Sequence, residues 1–465
     1  MKVSRILRRL LCSVAVLVAL LGIFSGAFSP HAMAQAAPAT KGWTIAELFG
    51  ARPLWKYAQQ ISPASVGQGQ IPPCLTSAVP PRCFSPQQIR RAYDIQKLLK
   101  AHITGRGRTI VLIDGSTSST LSADVHLYDA LYGLKDPKIN VIAPFGVPPF
   151  DPNAYVETAL DVETAHSIAP DATIDLVLGD TSVAQTPGAF DAILLRVTKY
   201  AVDNNLGDVI SQSFGVGESC VGSAYLQAEQ QVFQEARDKH ITVLASAGDS
   251  GDLTITCIGS QITLAKGVSV PASDPFATGV GGTTLDADVN TGKYNSETTW
   301  NEFNNGAGAT GGGFSSVFAR PEYQDGIPGI GAFRGVPDVA FVADPLTGVP
   351  VVVSAFGETL IIPVGGTSVG SPAWAGIVAL ADQAAGERLG FLNDGIYRLL
   401  ASDSYSQGFH DITTGDNSTT IPGSNGQPVP VPGYPAGPGW DAVTGAGTPK
   451  VSSLVSLLDT FAEGS

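Results

Sequence analysis

Gly365-Gly366-Thr367-Ser368-Val369-Gly370-Ser371-Pro372 decides the reading of this chain. The residues before it, Glu358 to Val364, are mostly apolar and strand-like. Those after it, Ala373 to Gln383, carry a helical pattern. A sharp turn between strand and helix projects the Ser368 hydroxyl at a helix N-terminus. Backbone N–H groups there lack intrahelical partners and can hold an oxyanion. Ser368 is the candidate nucleophile.

Upstream of that turn the chain alternates. Apolar runs occur at 109–113, 139–142, 173–178, 209–213 and 241–246, with helical patterns at about 121–134, 154–168, 189–203 and 222–239 between them. Continuous apolar strands joined by helices predict an α/β fold. Its parallel sheet is covered by helices on both faces, with ligands beyond the carboxyl ends of the strands. Ser85 followed by Pro86 reads as an N-cap and first turn of a further helix. Residues 44–60 predict a short amphipathic helix, and 62–84 a loop rich in Pro, Gly and Ser. From 250 to 365 loops and short strands are expected around a cleft. Beyond Ser368, helices are expected to about 386, near 388–400 and over 450–462, with a polar loop at 401–449.

Composition narrows the setting. Lys2, Arg5, Arg8 and Arg9 precede an apolar run over 10–28 and then Ala32-Met33-Ala34. That order predicts a secretory signal peptide over 1–34 and a chain that is secreted, extracellular or periplasmic. No stable membrane insertion is expected after cleavage. Removing those four basic residues makes the formal charge of −14 more negative, which argues against nucleic-acid partners. With 44% hydrophobic residues the rest is not disordered. Cys74, Cys83, Cys220 and Cys257 remain after cleavage, an even set that predicts two disulfides in any of three pairings.

A serine nucleophile needs a base. No histidine stands in a Gly-His-Gly-Thr setting, and His166 on the 154–168 helix reads as a surface or partly buried residue. The same helix offers Glu157 and Asp161, four residues apart and so on one face. As a solvated acidic face this pair would be unremarkable. Beside a nucleophile, two close carboxylates share a proton, so that one acts as base and its neighbour orients it. Asp249, in Ala247-Gly248-Asp249-Ser250-Gly251 after a strand, is the third acid. Protonated, it can donate to a developing oxyanion together with the Ser368 N–H. A neutral carboxyl donates and a carboxylate does not, so this chemistry belongs to low pH.

Glu-x-x-x-Asp, then Gly-Asp, then Gly-Thr-Ser-x-x-x-Pro, in that order, resembles the sedolisin family of serine-carboxyl peptidases over about residues 83–460. The resemblance implies a subtilisin-like fold with a single large catalytic domain at 83–465. It also implies an acid-acting endopeptidase on protein or peptide substrates, monomeric. Ser368 would be nucleophile, Glu157 base, Asp161 its support and Asp249 the oxyanion acid. Asp114 would stand in for a glutamate that supports the pair in some members. Phe214, in Ser211-Gln212-Ser213-Phe214-Gly215, replaces their tryptophan and lacks its N–H donor. The resemblance further implies one structural Ca²⁺, held by the Asp411 and Asp441 side chains and the carbonyls of Ile412, Gly437 and Gly439. Hard cations take such oxygen ligands.

The pattern also breaks. Sedolisins carry a long prodomain, whereas only residues 35–82 separate signal and domain here. The 44–60 segment would then be a reduced pro-region, unless the chain folds unaided or another chain assists. Ser269, where some members place an acid before Pro-Ala-Ser, predicts preference for uncharged or apolar P1 groups. Two other functions fit the same scaffold: a non-catalytic extracellular binding protein, silent at every pH, and a hydrolase of non-peptide esters or amides.

Overall fold

In chain order the elements that build the site begin with β1 (Arg52–Pro53) and β2 (Gln59–Gln60), then α1 (Pro86–Ala92) and β3 (Thr109–Asp114). There follow α2 (Leu121–Tyr132), β4 (Lys138–Ile142), α3 (Pro152–Ile168), β5 (Thr173–Leu178), α4 (Pro187–Asp203) and β6 (Val209–Gln212). Next come α5 (Ser223–Asp238), β7 (Thr242–Ser246), β8 (Thr278–Ala287), β9 (Tyr294–Thr299) and β10 (Val339–Val342). The hairpin β11 (Val349–Ala355) and β12 (Glu358–Gly365) leads into α6 (Thr367–Ala385), α7 (Asn393–Leu400) and α8 (Val451–Ala462). This computed structural model describes residues 50–62, 73–77, 79–259, 261–422 and 427–462, all within one unit, Lys41–Ser465. The expected signal peptide and residues 44–49 of the expected helix lie outside the described residues.

Eight strands form the main sheet in the order β9-β8-β7-β6-β3-β5-β4, with β10 also paired to β8. All pairs but the β9 edge are parallel. The central strands are buried along nearly their whole length, as a sheet covered on both faces requires. The predicted α/β architecture is the one found.

Helix α6 runs through the interior, buried from Thr367 to Asp382. A helix apolar all round belongs there. Its Trp374 is fully buried and donates its indole N–H to the Ala340 carbonyl at 3.1 Å. It crosses α3 closely at Gly376, where a Cβ would stand 2.6 Å from Ile168 Cβ. That crossing sets the distance between the acids of α3 and the serine of α6. Ser85 caps α1 as predicted, and the cap is a reciprocal box with Gln88. The disulfides are Cys74–Cys83 and Cys220–Cys257, the bonds of a chain that folds outside a reducing compartment.

Two expectations are corrected. Over its described part, 50–60, the predicted amphipathic helix is extended chain: β1 and β2 pair antiparallel with β12, and one short 3₁₀ turn at Trp55–Tyr57 lies between them. Arg52-Pro53 explains the failure, because the residue before proline is pushed out of helical backbone. Sheet pairing with β12 then satisfies the backbone. Within 250–365, where loops and short strands are expected, β8 is a ten-residue strand of the main sheet. Glycines at 279, 281 and 282 hid its apolar run.

Candidate active site

Ser368 lies in the first turn of α6, just after Gly366, whose φ of +108° makes the sharp turn out of β12. A side chain at 366 is excluded on space as well, since a Cβ would sit 1.7 Å from the Gly50 carbonyl oxygen. The Ser368 side chain is fully buried, with Oγ 3.4 Å from the Ser213 carbonyl. Ser213 follows β6 and Asp114 ends β3, so the site stands where the parallel strands finish.

Glu157 and Asp161 sit one turn apart on α3, both fully buried. The solvated acidic face is thereby excluded. Glu157 Oε2 accepts the Ala51 N–H at 2.7 Å, and Asp161 Oδ1 accepts the Ser213 hydroxyl at 2.9 Å. Asp114 joins them. Its two oxygens, Glu157 Oε1 and Asp161 Oδ2 are buried without hydrogen-bond partners among the described residues. Desolvation pushes all three carboxyls upward; the Ser368 hydroxyl opposes it at Glu157 and the Thr158 hydroxyl at Asp114, while repulsion from Asp114 adds to the rise at Glu157 and Asp161. Three buried acids this close do not all ionise together. At Glu157 the Ser368 hydroxyl and the Ala51 amide both oppose that rise.

Asp249 faces Ser368 from beyond β7. Its Oδ1 accepts from the Thr367 amide at 2.8 Å and the Thr367 hydroxyl at 2.7 Å, and its Oδ2 from Arg52 Nε at 3.2 Å. Burial raises its pKa, while the Arg52 cation is the largest influence lowering it. In this arrangement every bond to Asp249 is accepted. The expected role, donation from a protonated carboxyl, requires a state in which Arg52 has let go.

His166 departs from expectation. It is fully buried, not on the surface, and pairs with Asp129 at 3.0 Å, away from the acids around Ser368. Phe214 is buried edge-to-face against Phe190, with ring centroids 6.2 Å apart, and supplies no donor. Ser269 bonds Thr254 through their hydroxyls at 2.7 Å and lines a cavity of about 40 Å³ beside Gly50, Phe214 and Gly215. Sequence reasoning missed Ser213, Thr367 and the whole segment Gly50-Ala51-Arg52. Ser213 and Thr367 had a signal, being neighbours of chemistry-bearing residues in strand-end turns. The 50–52 segment had none.

The expected cation site lies in the loops before α8. Asp411 accepts the Gly439 amide at 3.1 Å, and Asp441 accepts the amides of Gly437, Val443 and Thr444 at 2.8–3.1 Å. Both carboxyls act on the Tyr405 phenol, so they face one place. Ile412 is buried beside them in sequence, and Gly437 and Gly439 have open space around Cα. An all-oxygen donor set of this kind fits a hard cation. No group of three or more His, Cys, Asp or Glu side chains arranged for a metal occurs among the described residues.

Known proteins give a consistent picture. Residues 158–391 match the Subtilase family. The chain is 35% identical over 391 residues to kumamolisin from Bacillus sp. (strain MN-32), covering 81% of this chain and 64% of that protein. It is 33% identical over 269 residues to sedolisin from Pseudomonas sp. (strain 101), covering 57% and 43%. It thus spans less than two thirds of the length of either relative. The solved Pseudomonas sedolisin, a serine-carboxyl proteinase complexed with two molecules of pseudo-iodotyrostatin, superposes with a TM-score of 0.68 at 29% identity, over 81% of this chain and 98% of that one. A serine turn at the end of a parallel sheet, facing carboxyls instead of a histidine, agrees with both likenesses: the chain belongs to the subtilase family and is a homologue of its sedolisin-type serine-carboxyl peptidases.

Proposed function

We propose that this chain is an exported serine-carboxyl endopeptidase, hydrolysing peptide bonds of proteins or peptides at acidic pH through an acyl-enzyme on Ser368. One observation carries the reading. Ser368 lies between a buried acid cluster on one side, Glu157 with Asp161 and Asp114, and Asp249 on the other. The relatives' names point the same way.

In this mechanism Glu157, ionised, takes the Ser368 proton as Oγ attacks the substrate carbonyl. Asp161 and Asp114 hold their protons and keep a single negative charge on Glu157. Protonated Asp249 and the Ser368 N–H stabilise the oxyanion. Glu157 returns its proton to the leaving amine, and water then cleaves the ester with Glu157 again as base. Asp411 and Asp441, with the carbonyls of Ile412, Gly437 and Gly439, would hold Ca²⁺, which supplies cross-linking of loops and no chemistry. No described helix is long and apolar enough to cross a membrane, and the chain acts as a monomer in this reading.

Cleavage of a denatured protein from about pH 2 to about pH 8 tests the reading, comparing the exported chain with Ser368→Ala. An acid maximum that S368A abolishes supports it. Silence from a folded, calcium-supplied chain favours a binding protein, and hydrolysis of small esters without protein cleavage favours the non-peptide hydrolase.

A further inference from the structure

Two donors of one residue converge on one oxygen of Asp249. Thr367 is the first residue of α6 and is fully buried. Its N–H reaches Asp249 Oδ1 at 2.8 Å, and its hydroxyl reaches the same oxygen at 2.7 Å. The hydroxyl is aimed from behind. The Gly248 N–H donates to Thr367 Oγ1 at 3.2 Å, which turns the hydroxyl hydrogen toward Oδ1. A carboxyl oxygen has two lone pairs, and on Oδ1 both are engaged. Oδ2 is different. It receives nothing from Thr367, and the group that approaches it is Arg52 Nε, at 3.2 Å. A Cβ placed on Gly366 would stand 2.6 Å from Oδ2 and 1.7 Å from the Gly50 carbonyl oxygen. Oδ2 therefore faces the side of the nucleophile turn on which a carbonyl oxygen lies.

We propose that Thr367 is a positioning residue for Asp249: by donating both its N–H and its hydroxyl to Oδ1, it confines the proton of the neutral acid to Oδ2, where that proton points at the oxyanion. This rests on the peptidase function proposed above and adds the residue that aims its oxyanion acid. A proton on Oδ1 would displace one of the two Thr367 donors. The backbone N–H cannot turn away, and the hydroxyl has no other acceptor among the described residues. A proton on Oδ2 breaks neither bond. As Ser368 Oγ attacks a carbonyl, Oδ2–H then becomes the side-chain donor that completes the pair with the Ser368 N–H. An acid free to carry its proton on either oxygen would donate away from the oxyanion for part of the time. The charged and titratable groups facing Asp249 are Arg52 from β1, which favours the carboxylate, and Glu157 from α3, which it repels. Both Thr367 donors also favour the carboxylate. The hydroxyl thus fixes where the proton sits and, by the same bond, lowers the pH at which it is lost.

The test uses the full exported chain and a short fluorogenic peptide spanning a bond that the chain cuts in denatured casein. Thr367→Val keeps the shape of the side chain and removes the hydroxyl. Its kcat should fall about tenfold, short of the hundredfold of a lost oxyanion donor, with KM unchanged within a factor of about two. The neutral-side fall of kcat/KM should move up by about half a pH unit or more, because a carboxyl that loses a donor to its charged form keeps its proton longer. Thr367→Ser should restore both. In Asp249→Asn, which has no proton to place, adding T367V should shift no limb of the pH profile. A folded T367V with wild-type kcat, or with a lower kcat and an unmoved neutral limb, would overturn the inference and leave the peptidase function standing. So would a T367S no better than T367V. Thr367→Ala is read in the same way if T367V fails to fold, with thermal melting as the control. Failure of the folded wild-type chain to cut casein at any pH would overturn the peptidase function and this inference with it.

Discussion

Two groups of buried carboxyls differ in what faces them. Around Ser368, the acids Asp114, Glu157 and Asp161 leave oxygens unpartnered toward one another and present Glu157 to a hydroxyl and a peptide N–H. Between α4 and α5, Asp191 and Glu229 share the Tyr225 phenol at 2.6 and 2.9 Å, and Asp274 lies close enough to repel Glu229. Burial raises the carboxyls in both places. Only the first stands at the strand ends, beside the Ser368 hydroxyl and Asp249. In the second, the Tyr225 phenol on α5 lies between Asp191 and Glu229. In the proposed mechanism the same desolvation supplies a base in one region; in the other it ties stability to bound protons.

The largest effect should fall on the first group. Ser368→Ala and Glu157→Gln should each lower peptide cleavage by about a thousandfold or more without loss of fold, measured as kcat/KM with thermal melting as control. If E157Q kept wild-type rates, the two carboxyl groups would no longer differ in kind. Asp249→Ala should cost about a hundredfold or more in kcat, the usual loss of one oxyanion donor.

The second group should answer in stability. Burial holds Asp191 and Asp274 at about 7, against roughly 3.9 in an unfolded chain. The folded state keeps protons that the unfolded state releases between about pH 4 and about pH 7, so their contribution is full below that window and falls as pH rises through it. Melting should therefore be higher near pH 4 than near pH 7. Asp191→Asn should flatten that slope and stabilise the neutral form by about 1.4 kcal/mol for each pH unit removed, with activity kept. A slope unaltered in D191N would mean the protons are held elsewhere.

Smaller effects concern the periphery. Added calcium should stabilise by up to about 3 kcal/mol at a hundredfold excess over its Kd, and Asp441→Ala should abolish that increment. Equal melting with calcium and with chelator would remove the cation from the account. Ser269→Asp should shift P1 preference toward Lys or Arg by about tenfold at most, read from a panel of peptides varied at P1.

Much of this was legible in sequence because the signals are local. Buried parallel strands show as apolar runs, Ser85-Pro86 as a helix start, and Gly366-Thr367-Ser368 as a turn between a strand and a helix. Glu157 and Asp161 could be paired from helical spacing alone. The burial of Asp114 and His166 was not legible, since it depends on how α3, which carries His166, packs against the sheet that Asp114 ends and against α6. The course of Gly50-Ala51-Arg52 was hidden for a different reason. Its amphipathic spacing competes with pairing to β12, a strand about three hundred residues away, and no local pattern reports such a partner. The glycines of β8 masked a central strand because packing, not propensity, selects them.

The most direct test is the pH dependence of kcat/KM for a peptide substrate in Asp249→Asn and in wild type, from about pH 2 to about pH 8. Asparagine donates a hydrogen bond at every pH. The account predicts that D249N keeps the acid limb, set by Glu157 and its neighbours, and loses the fall in activity toward neutral pH. A neutral-side fall unchanged in an active D249N would contradict it, because Asp249 would not then be the acid whose proton the reaction needs.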